Sequence, residues 1–489
     1  METTKDFLLE RRNKLEALKK MGIEPYGRKY LRTHLIAEAI KEFEAQNSAG
    51  NEIAQVIPSN AGAPARKDMV KVCGRIVGVR AHGKTAFADI RDHTGKVQAY
   101  LRKDELKDRF DVFELCDIGD FIGVEGRLFK TKTGEISVHV VDLTFLSKSL
   151  MPLPEKWHGL KDVETRYRQR YLDLLSNEEA RGIFLLRSRI TKKIREFLDA
   201  KGYLEVETPM MQAMAGGAVA KPFVTHHEAL NTDLYLRVAP ELFLKRLLVG
   251  GFDRVYELNR NFRNEGISRR HNPEFTMLEV YASYEDYNTM MELTEELVDN
   301  LVRELGLRPK VNLATPWKRV DYFDALQQET KVDFRRCKDV AATAKKLGVQ
   351  SEERPSDMEI VNQVFETLVQ PKLVNPTFVI DYPAELCLLT KCRKDDPGIA
   401  ERFELFVLGQ EIANAYSELN DPEDQRKRFL EQAKATGKTI DEDYVVALEH
   451  GMPPAGGLGI GIDRLVMLLT GAESIRDVIL FPQLKPETK

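Results

Sequence analysis

A charged loop between two strand-like segments, within residues 253–283, has the residue types of an anion-binding site. Arg263 lies at the end of the first strand. In the second strand, side chains alternate between the two faces, so every second residue lies on the same face. A charged hairpin is often only a solvated sheet edge, so the set becomes informative when a second cationic group accompanies it. Its further members are Glu265, His271, Asn272, Phe275, Glu279 and Tyr281.

A glycine-rich strand near the C-terminus supplies a second cation. Residues 457–469 read GLGIGIDRLVMLL, and Arg464 stands near the start of the helix that this pattern predicts. Glycines in a strand allow a ligand to lie close to the backbone. Because Arg464 accompanies Arg263, the hairpin is less well explained as a solvated sheet edge.

Three glutamates recur at intervals of seven residues, at Glu404, Glu411 and Glu418. On a helix they would form an exposed stripe, but the apolar residues of 403–407 alternate as in a strand. Carboxylates on the inner face of a strand need cations. Glutamates that bind Mg²⁺ beside two arginines would suit a triphosphate.

The sequence also satisfies the P-loop pattern, at Gly78, Gly83, Lys84 and Thr85. A P-loop is followed at once by a helix whose amide groups bind phosphate. Residues 85–92, TAFADIRD, alternate instead like a strand. A hairpin turn is therefore the favoured interpretation, and a P-loop nucleotide hydrolase that uses Lys84 remains an alternative.

The body of the chain that must position these groups has an α+β pattern. Apolar residues at helical spacing predict a helix over 187–201 that stops at Gly202. The strand-like segments are joined by hairpin-like loops rather than regular βαβ crossovers, which predicts a largely antiparallel sheet. These segments are 203–208, 234–238, 253–262, 274–283, 377–382 and 403–415.

Ahead of this body, residues 69–146 change to short β-rich runs separated by turns. Five strands with a helical insert near 103–115 predict a small Greek-key barrel of the OB type. Residues 5–20 predict a charged helix, and the low-complexity stretch 45–65 predicts a mobile loop. The expected domains are an N-terminal helix with a flexible segment at 1–65, the OB-type domain at 66–148, a linker at 149–160 and the α+β body at 161–489.

Composition excludes several classes of protein. The 489 residues are 43% hydrophobic and 31% charged, which predicts several folded domains, and no run approaches the roughly 18 apolar residues of a membrane span. The first twenty residues lack an apolar signal core, and five scattered cysteines predict a cytoplasmic protein without a structural metal. The net charge of −4 divides into +4 for residues 1–148 and −8 for the rest, which permits nucleic-acid contact at the front.

At these motifs the chain resembles the class II aminoacyl-tRNA synthetases. The helix 187–201 with GYLEVETPMM resembles motif 1, FRNEG…RHNPEFTMLE resembles motif 2, and GLGIGIDR resembles motif 3. The likeness covers nearly the whole chain and is close to the bacterial-type lysyl-tRNA synthetases of subclass IIb. Further markers are RYRQRYLDL, HHEALNTDLYLRVAPELFLKR, SELNDPEDQ and ALEHGMPP.

The resemblance implies a role for each residue already singled out. Arg263 would hold the α-phosphate and the substrate carboxylate, Arg464 would bind the γ-phosphate of a bent ATP, and about three Mg²⁺ ions would bind per active site. Phe275 would stack on adenine. The nucleotide would be surrounded by Glu265, His271, Asn272 and Phe275; the metal ligands would be Glu404, Glu411 and Glu418; and the lysine pocket would contain Gly217, with Gly216 beside it, Glu241, Glu279, Tyr281, Asn414, Tyr416 and Glu418.

The carboxylates of this implied pocket favour lysine as the amino acid. An ε-ammonium group loses several kcal/mol of solvation unless it is paired and hydrogen-bonded. Glu241 and Glu418, with the Tyr281 hydroxyl, would supply that pairing, whereas a pocket for aspartate would need Arg or Lys. A missing methylene is worth only about 1–3 kcal/mol, so we expect ornithine to be the nearest competitor.

The implied reaction joins lysine to tRNA(Lys) in two steps, through a lysyl-adenylate. The barrel would bind the U-rich anticodon, and the motif 1 segment 187–211 would pair across a two-fold axis in a homodimer. Phe87 matches the base-stacking aromatic of the family, although taken alone it would be interpreted as a buried barrel residue. The candidate hydrogen-bonding partners beside it are Arg80, Gln98 and Glu135.

One loop departs from the family pattern. After Tyr382-Pro383-Ala384-Glu385 the family usually continues Ser-Pro-Leu, but this chain has Cys387-Leu388-Leu389, so the shape of this loop near the active site is open. Besides the P-loop enzyme, two alternatives remain. A synthetase of the same subclass for asparagine or aspartate is disfavoured by the pocket carboxylates, and a non-catalytic tRNA-binding relative by the intact arginines and glutamates.

Overall fold

The computed structural model describes residues 2–48, 69–153, 160, 162–214, 216–217, 220–350, 355–436 and 439–486. The chain divides into two compact units, Met1–Gly159 and Leu160–Lys489. The division falls inside the predicted linker at 149–160. Most of the stretch predicted to be a mobile loop, and residues 154–159 of the linker, lie outside the described residues.

The first unit contains a closed five-stranded barrel in the order β1-β2-β3-β5-β4. Its inward side chains form one apolar core because buried and partly buried positions alternate along the strands, as in β2. Two short helices lie at the predicted insert. The strands are β1 Val70–His82, β2 Thr85–Arg91, β3 Lys96–Arg102, β4 Phe121–Lys130 and β5 Ile136–Ser147; the helices of this unit are α1 Glu2–Lys20, α2 Ile36–Ser48, α3 Lys103–Leu106 and α4 Asp108–Glu114.

The second unit is built on an eight-stranded sheet in the order β12-β13-β14-β15-β16-β11-β10-β6. Its six central strands pair antiparallel, and only the two outermost pairs are parallel, so the prediction of a largely antiparallel sheet is confirmed. A three-stranded sheet, β7-β9-β8, accompanies it. The strands are β6 Leu204–Glu205, β7 Met211–Gln212, β8 Val224–His227, β9 Thr232–Leu236, β10 Arg254–Phe262, β11 Glu274–Ser283, β12 Lys318–Asp321, β13 Thr377–Pro383, β14 Ile399–Val407, β15 Gln410–Ser417 and β16 Ala455–Gly461.

Helices cover the large sheet, and α7, α9 and α15 contribute buried side chains to its main core. The bounds of these and the other helices are α5 Val163–Arg168, α6 Arg170–Ser176, α7 Glu178–Ala200, α8 Glu241–Val249, α9 Tyr287–Leu305, α10 Tyr322–Thr330, α11 Val340–Lys346, α12 Asp357–Val364, α13 Pro422–Thr436, α14 Glu442–Glu449, α15 Ile462–Thr470 and α16 Ile475–Val478. No helix among the described residues is long and apolar enough to cross a bilayer.

Two predicted elements differ from the structure. The motif 1 helix begins nine residues before 187, because the Asn177 side chain caps it by accepting from two N–H groups of its first turn. The segment 403–415 is not one strand but parts of β14 and β15, since Leu408 and Gly409 both have positive φ and form a tight turn. Glu404 and Glu411 therefore lie on neighbouring strands.

Candidate active site

One cavity of about 390 Å³ lies on the face of the large sheet formed by β11, β15 and β16. The long hairpin loop between β10 and β11 and the loop after β13 complete its wall. The cavity brings together thirteen of the fifteen residues that the sequence nominates in this unit; Glu404 and Glu418 lie outside its lining. The thirteen are Gly217, Glu241, Arg263, Glu265, His271, Asn272, Phe275, Glu279, Tyr281, Glu411, Asn414, Tyr416 and Arg464.

Strand register gives this cavity two different ends. On one side Tyr281, Gly457 and Tyr416 form a cross-strand row over β11, β16 and β15. Phe275 lies six residues from Tyr281 along β11, which is about 20 Å of extended chain. Phe275, which is assigned to adenine, is thus about one nucleotide length away from the carboxylates that are assigned to the amino acid.

Arg263 presents an unused donor to the cavity. It follows β10, and its backbone N–H donates to the Pro273 carbonyl at 2.8 Å, which fixes the base of the hairpin loop. Its guanidinium carbon lies 5.1 Å from the centre of the Phe275 ring, while its buried Nε has no hydrogen-bond partner among the described residues. A buried cationic donor of this kind is costly unless an anion binds it.

Arg464, in the first turn of α15, is held between two other nominated residues. Its Nη1 donates to the backbone carbonyl of Glu411 at 2.7 Å, and its Nη2 lies 3.4 Å from His271 Nε2. Burial first and the charge of Arg464 next lower the pKa of His271, which favours the neutral imidazole. Its other ring nitrogen, Nδ1, lies 3.0 Å from Ser268 Oγ, which also accepts from the backbone N–H groups of Arg270 and His271.

Glu265 and Asn272 line the cavity in different ways. Glu265 is exposed and stands two residues after Arg263 in the loop. Asn272 is buried, and both ends of its amide are engaged: Nδ2 donates to the Glu274 carbonyl at 2.6 Å, and Oδ1 accepts from the Gln483 N–H at 3.1 Å. Asn272 therefore fixes the shape of this wall of the cavity.

Glu404 and Glu411 form an acidic pair on neighbouring strands. Glu404 accepts from the Tyr382 hydroxyl at 2.9 Å and from Arg402, yet burial, and to a smaller extent Glu411, raise its pKa to about 7. Each carboxylate also contacts an arginine, since Arg402 contacts Glu404 and Arg464 contacts Glu411. Two carboxylates of this kind fit Mg²⁺, which commonly takes one or two protein carboxylates and completes its shell with water and phosphate oxygens.

Glu418 does not belong to this pair, and the predicted set of three metal ligands is wrong in that respect. Glu411 lies in β15 and Glu418 directly after its end, seven residues and about 23 Å of extended chain away. Among the described residues, no group of three His, Cys, Asp or Glu side chains is arranged to hold a metal ion. The regular spacing of the glutamates misled the prediction, because a turn brings Glu404 and Glu411 together whereas an extended strand separates Glu418 from them.

Glu418 instead lies at the amino-acid end with Glu241 and a lysine that sequence reasoning missed. The fully buried Lys245 ammonium lies 2.7 Å from Glu241 Oε1 and forms an ion pair with Glu418. Tyr416 donates from its hydroxyl to the same Glu241 oxygen at 2.6 Å. A Cβ on Gly457 would overlap Glu418 Oε1, so only glycine fits between this carboxylate and the cavity.

Glu279 and Tyr281 complete the polar surface at this end. Tyr281 donates to Glu279 Oε2 at 3.0 Å, and burial, followed by the charge of Glu241, raises the pKa of Glu279 to about 8. Gly217 has a positive φ, and a Cβ there would press on Ala239 and Glu241, which explains the glycine beside the pocket. Asn414 lies two residues before Tyr416 in β15, and its side-chain oxygen accepts a hydrogen bond from Arg402 at 3.0 Å.

The loop that departs from the family pattern forms part of the cavity wall, from Leu386 to Thr390. Cys387 is buried and lies 3.5 Å from an Arg402 nitrogen through its sulfur. Arg402 itself was missed in the sequence, although it stands two residues before Glu404 and so on the same strand face. Lys245 carried a similar signal, since it lies four residues after Glu241 on one helix.

In the barrel, Phe87 lies on the outer face and not in the core. Its neighbours along β2, Ala86 and Ala88, are fully buried, while Phe87 stacks on Tyr100 with ring centres 4.9 Å apart. The interpretation of Phe87 as a buried barrel residue is therefore wrong. Phe129 and His139 extend this aromatic surface at 6.0 and 5.7 Å from Tyr100.

The three polar partners nominated beside Phe87 differ in availability. Arg80 is exposed and directly opposite Phe87 in the register, 3.7 Å from Asp89. Gln98 is buried; it donates to Glu135 at 3.1 Å and accepts from Ser137 at 2.9 Å. Gln98 thus orients the Glu135 carboxylate toward the same part of the barrel.

The P-loop pattern is a β-hairpin in the structure. Its first glycine lies in β1, Gly83 has a positive φ in the two-residue turn, and Thr85 begins β2. Lys84 is exposed in that turn, and no helix follows it. The interpretation as a hairpin turn is confirmed.

Comparisons with known proteins agree with this architecture. A family model described as tRNA synthetases class II (D, K and N) matches residues 162–485, and one described as an OB-fold nucleic acid binding domain matches 70–146. The chain is 56% identical to a lysine–tRNA ligase of Carboxydothermus hydrogenoformans over 97% of both chains. It is 51% identical to that of Pelotomaculum thermopropionicum over 99% of this chain and 96% of the relative, and 50% identical to that of Shouchella clausii over 98% and 97%.

Proposed function

Since the chain belongs to the class II tRNA synthetases of the D, K and N group, we propose that it activates L-lysine with ATP and transfers the lysyl group to the 3′ end of tRNA(Lys). The observation that carries the choice of lysine is the carboxylate-rich end of the cavity, where Glu241, Glu279 and Glu418 surround the Tyr281 hydroxyl. An aspartate side chain would meet a surplus of carboxylates there, since Lys245 matches the charge of only one of them, and asparagine would leave a buried carboxylate unpaired.

The other end of the cavity suits ATP. Phe275 offers a ring for adenine, and the free Nε of Arg263 and the guanidinium of Arg464 would bind phosphate oxygens. Mg²⁺ would be held by Glu404 and Glu411, and it would neutralise phosphate charge during the reaction. The number of ions, about three in the sequence-based expectation, stays a prediction.

The chain's own residues would act by position and charge. Arg263, between the two ends, would hold the lysine carboxylate against the α-phosphate, so that a carboxylate oxygen forms the new bond to phosphorus while the bond to pyrophosphate breaks. Arg464 would bind the departing phosphates. In the second step the tRNA 3′-hydroxyl forms an ester with the lysyl carbonyl carbon, and AMP leaves. Neither step requires a side-chain nucleophile.

The barrel would bind the anticodon of the tRNA. Its aromatic surface, formed by Phe87, Tyr100, Phe129 and His139, offers partly exposed rings on which unpaired bases can stack. Arg80 and the Glu135 carboxylate would then contact base edges or phosphates beside that surface. The U-rich anticodon that the resemblance implies would stack on this surface, as any unpaired bases can, and the polar groups beside it would have to select the bases.

We also propose that the protein acts as a homodimer in the cytoplasm, where translation takes place. The motif 1 region supports the dimer, because Leu204, Met210 and Met211 leave 48–56% of their surface exposed. Sedimentation at micromolar concentration measures this directly, and a monomer would contradict it.

The proposed function is tested by charging purified tRNA(Lys), tRNA(Asn) and tRNA(Asp), each with its own radiolabelled amino acid. We expect esterification of lysine to tRNA(Lys) only. Charging of asparagine or aspartate instead would favour the other members of the group, and binding of tRNA without charging would favour a non-catalytic relative.

A further inference from the structure

One charged side chain beside the cavity has no part in the reaction described so far. Lys245, on α8, is fully buried, and its ammonium contacts both Glu241 and Glu418. It also lies 5.4 Å from the centre of the Tyr416 ring. The two carboxylates to which the substrate's ε-ammonium is assigned are therefore already paired with an ammonium group of the protein itself.

The pairing leaves part of both carboxylates unused. Glu241 Oε1 accepts from both Lys245 and Tyr416. Glu418 directs Oε2 to Lys245, whereas its Oε1 is buried and has no hydrogen-bond partner among the described residues. This oxygen lies against Gly457, a residue of the cavity lining, where a Cβ would overlap it. Glu241 lines the cavity directly, and its Oε2 takes part in neither of the two contacts.

We propose that Lys245 is a positioning and specificity residue, which pairs with Glu241 and Glu418 and so leaves the two carboxylates a single net negative charge for the ε-ammonium of the amino-acid substrate. This inference rests on the proposed function, because it assigns Lys245 to the lysine pocket. With Lys245 in place, the pocket presents one unpaired negative charge to one incoming positive charge. Without it, two buried carboxylates would face each other, and one of them would take up a proton.

Other titratable groups surround the cluster of Lys245, Glu241 and Glu418. β11 contributes Glu279 and Tyr281, and α14 contributes Tyr444, whose pKa is raised by burial. Lys245 is the cation that contacts both carboxylates in the part of the chain that the structure describes. The further groups that act on the cluster through their charges are Arg246, Glu257, Arg263 and Tyr416.

The experiment is the variant Lys245→Met, which replaces the ammonium with an apolar side chain of about the same length. In lysine-dependent ATP–pyrophosphate exchange at pH 7, we expect the KM for lysine to rise about tenfold or more, while the KM for ATP stays within about twofold of wild type. The ratio of variant to wild-type lysine KM should fall as the pH rises from 6 to 8, by up to about tenfold per pH unit, because one proton competes with the ε-ammonium. Glu279 titrates in both proteins, so its effect on the lysine KM cancels when the ratio of variant to wild type is taken.

Lys148 provides a matched control in the barrel unit. It is also fully buried between two carboxylates, with its ammonium 2.5 Å from Asp117 and 2.8 Å from Asp120. Lys148→Met removes the same kind of ion pair from a part of the chain that contains none of the pocket residues. We expect it to leave the lysine KM and its pH profile unchanged.

A lysine KM of Lys245→Met within twofold of wild type at pH 6, 7 and 8 overturns the proposal, as does an equal rise in the KM of lysine and of ATP. If this variant does not fold, Lys245→Gln gives the same test with an amide donor in place of the ammonium. Failure of both to fold assigns Lys245 to stability alone and also overturns it. Wild-type exchange with a different amino acid would reject the proposed function instead, which keeps the two failures distinct.

Discussion

Arg464 lies 3.3 Å from the carboxylate of Glu411 through its Nη1, which also donates to the Glu411 backbone carbonyl. The residue assigned to the γ-phosphate and a residue assigned to Mg²⁺ are thus neighbours that hold each other in place. Such a contact pre-organises the guanidinium at the wall of the cavity, so less conformational entropy is lost when the triphosphate binds. It also couples the two sites, since Glu411 must share its charge between the arginine and the metal ion.

Replacing Arg263 tests the centre of the cavity. Arg263→Ala removes a charge-assisted contact to the α-phosphate and the substrate carboxylate, so kcat/KM for exchange should fall by at least about 2 kcal/mol, or about 30-fold. Steady-state exchange kinetics with varied lysine and varied ATP measure this loss. An unchanged kcat/KM in a folded variant would remove Arg263 from the mechanism.

The two carboxylates at the amino-acid end should affect one substrate selectively. Glu418→Gln removes the charge of the carboxylate that lies against Gly457, and Glu241→Gln weakens both the Lys245 ion pair and the Tyr416 contact. Each variant should raise the KM for lysine by about tenfold or more and leave the KM for ATP nearly unchanged. Equal changes in both constants would mean that the pocket lies elsewhere.

Glu279 should make the stability of the protein depend on pH. Burial raises its pKa from about 4.5 to about 8, so the folded chain binds this proton more tightly than the unfolded chain. The folded state therefore loses stability as the pH rises from about 4.5 through about 8. Glu279→Gln cannot ionise and lacks this loss, so its melting temperature relative to wild type should increase between pH 5 and pH 8 and then level off. Thermal unfolding of both proteins at half-unit pH steps measures the difference, and a constant difference would contradict the buried carboxyl.

Phe87 should matter for tRNA and not for adenylation. Phe87→Ala removes one stacking ring from the aromatic surface of the barrel and should weaken tRNA charging by about 1–3 kcal/mol. Lysine-dependent pyrophosphate exchange should stay near wild type in this variant, because every residue assigned to it lies in the second unit. Lys84→Ala, in the hairpin turn of the same barrel, is the control and should leave exchange intact. Normal charging by a folded Phe87→Ala protein would assign the anticodon contact to other barrel residues, and loss of exchange in Lys84→Ala would favour the P-loop enzyme.

Sequence reasoning succeeded where local pattern and chemistry agree. Strand alternation put Glu279 and Tyr281 on one face, the antiparallel sheet brought Arg464 beside the hairpin loop, and the missing helix after Lys84 excluded a P-loop. These features depend on the period of a strand and on the turn residues, which are visible in a single sequence.

The residues that were missed are defined by contacts across the fold. Lys245 can be recognised as a pocket residue only when the fold places it against Glu418, 173 positions later. Arg402 can be recognised only when Glu404 and Asn414 lie on paired strands beside it. The spacing of the three glutamates was misleading for the same reason, because the turn at Leu408 brings Glu404 and Glu411 onto paired strands, whereas the extended β15 separates Glu418 from them. Long-range pairing of buried charges has no periodic signal.

ATP–pyrophosphate exchange measured with each of the twenty amino acids tests the central claim most directly. The assay needs no tRNA and therefore reports on the cavity of the second unit alone. With Mg²⁺ present, we predict exchange that depends on lysine, with the other nineteen amino acids near background, and loss of that exchange when a chelator removes Mg²⁺. Exchange supported by aspartate or asparagine, or none with any amino acid in a folded protein, would contradict the assignment of the carboxylate-lined pocket to lysine.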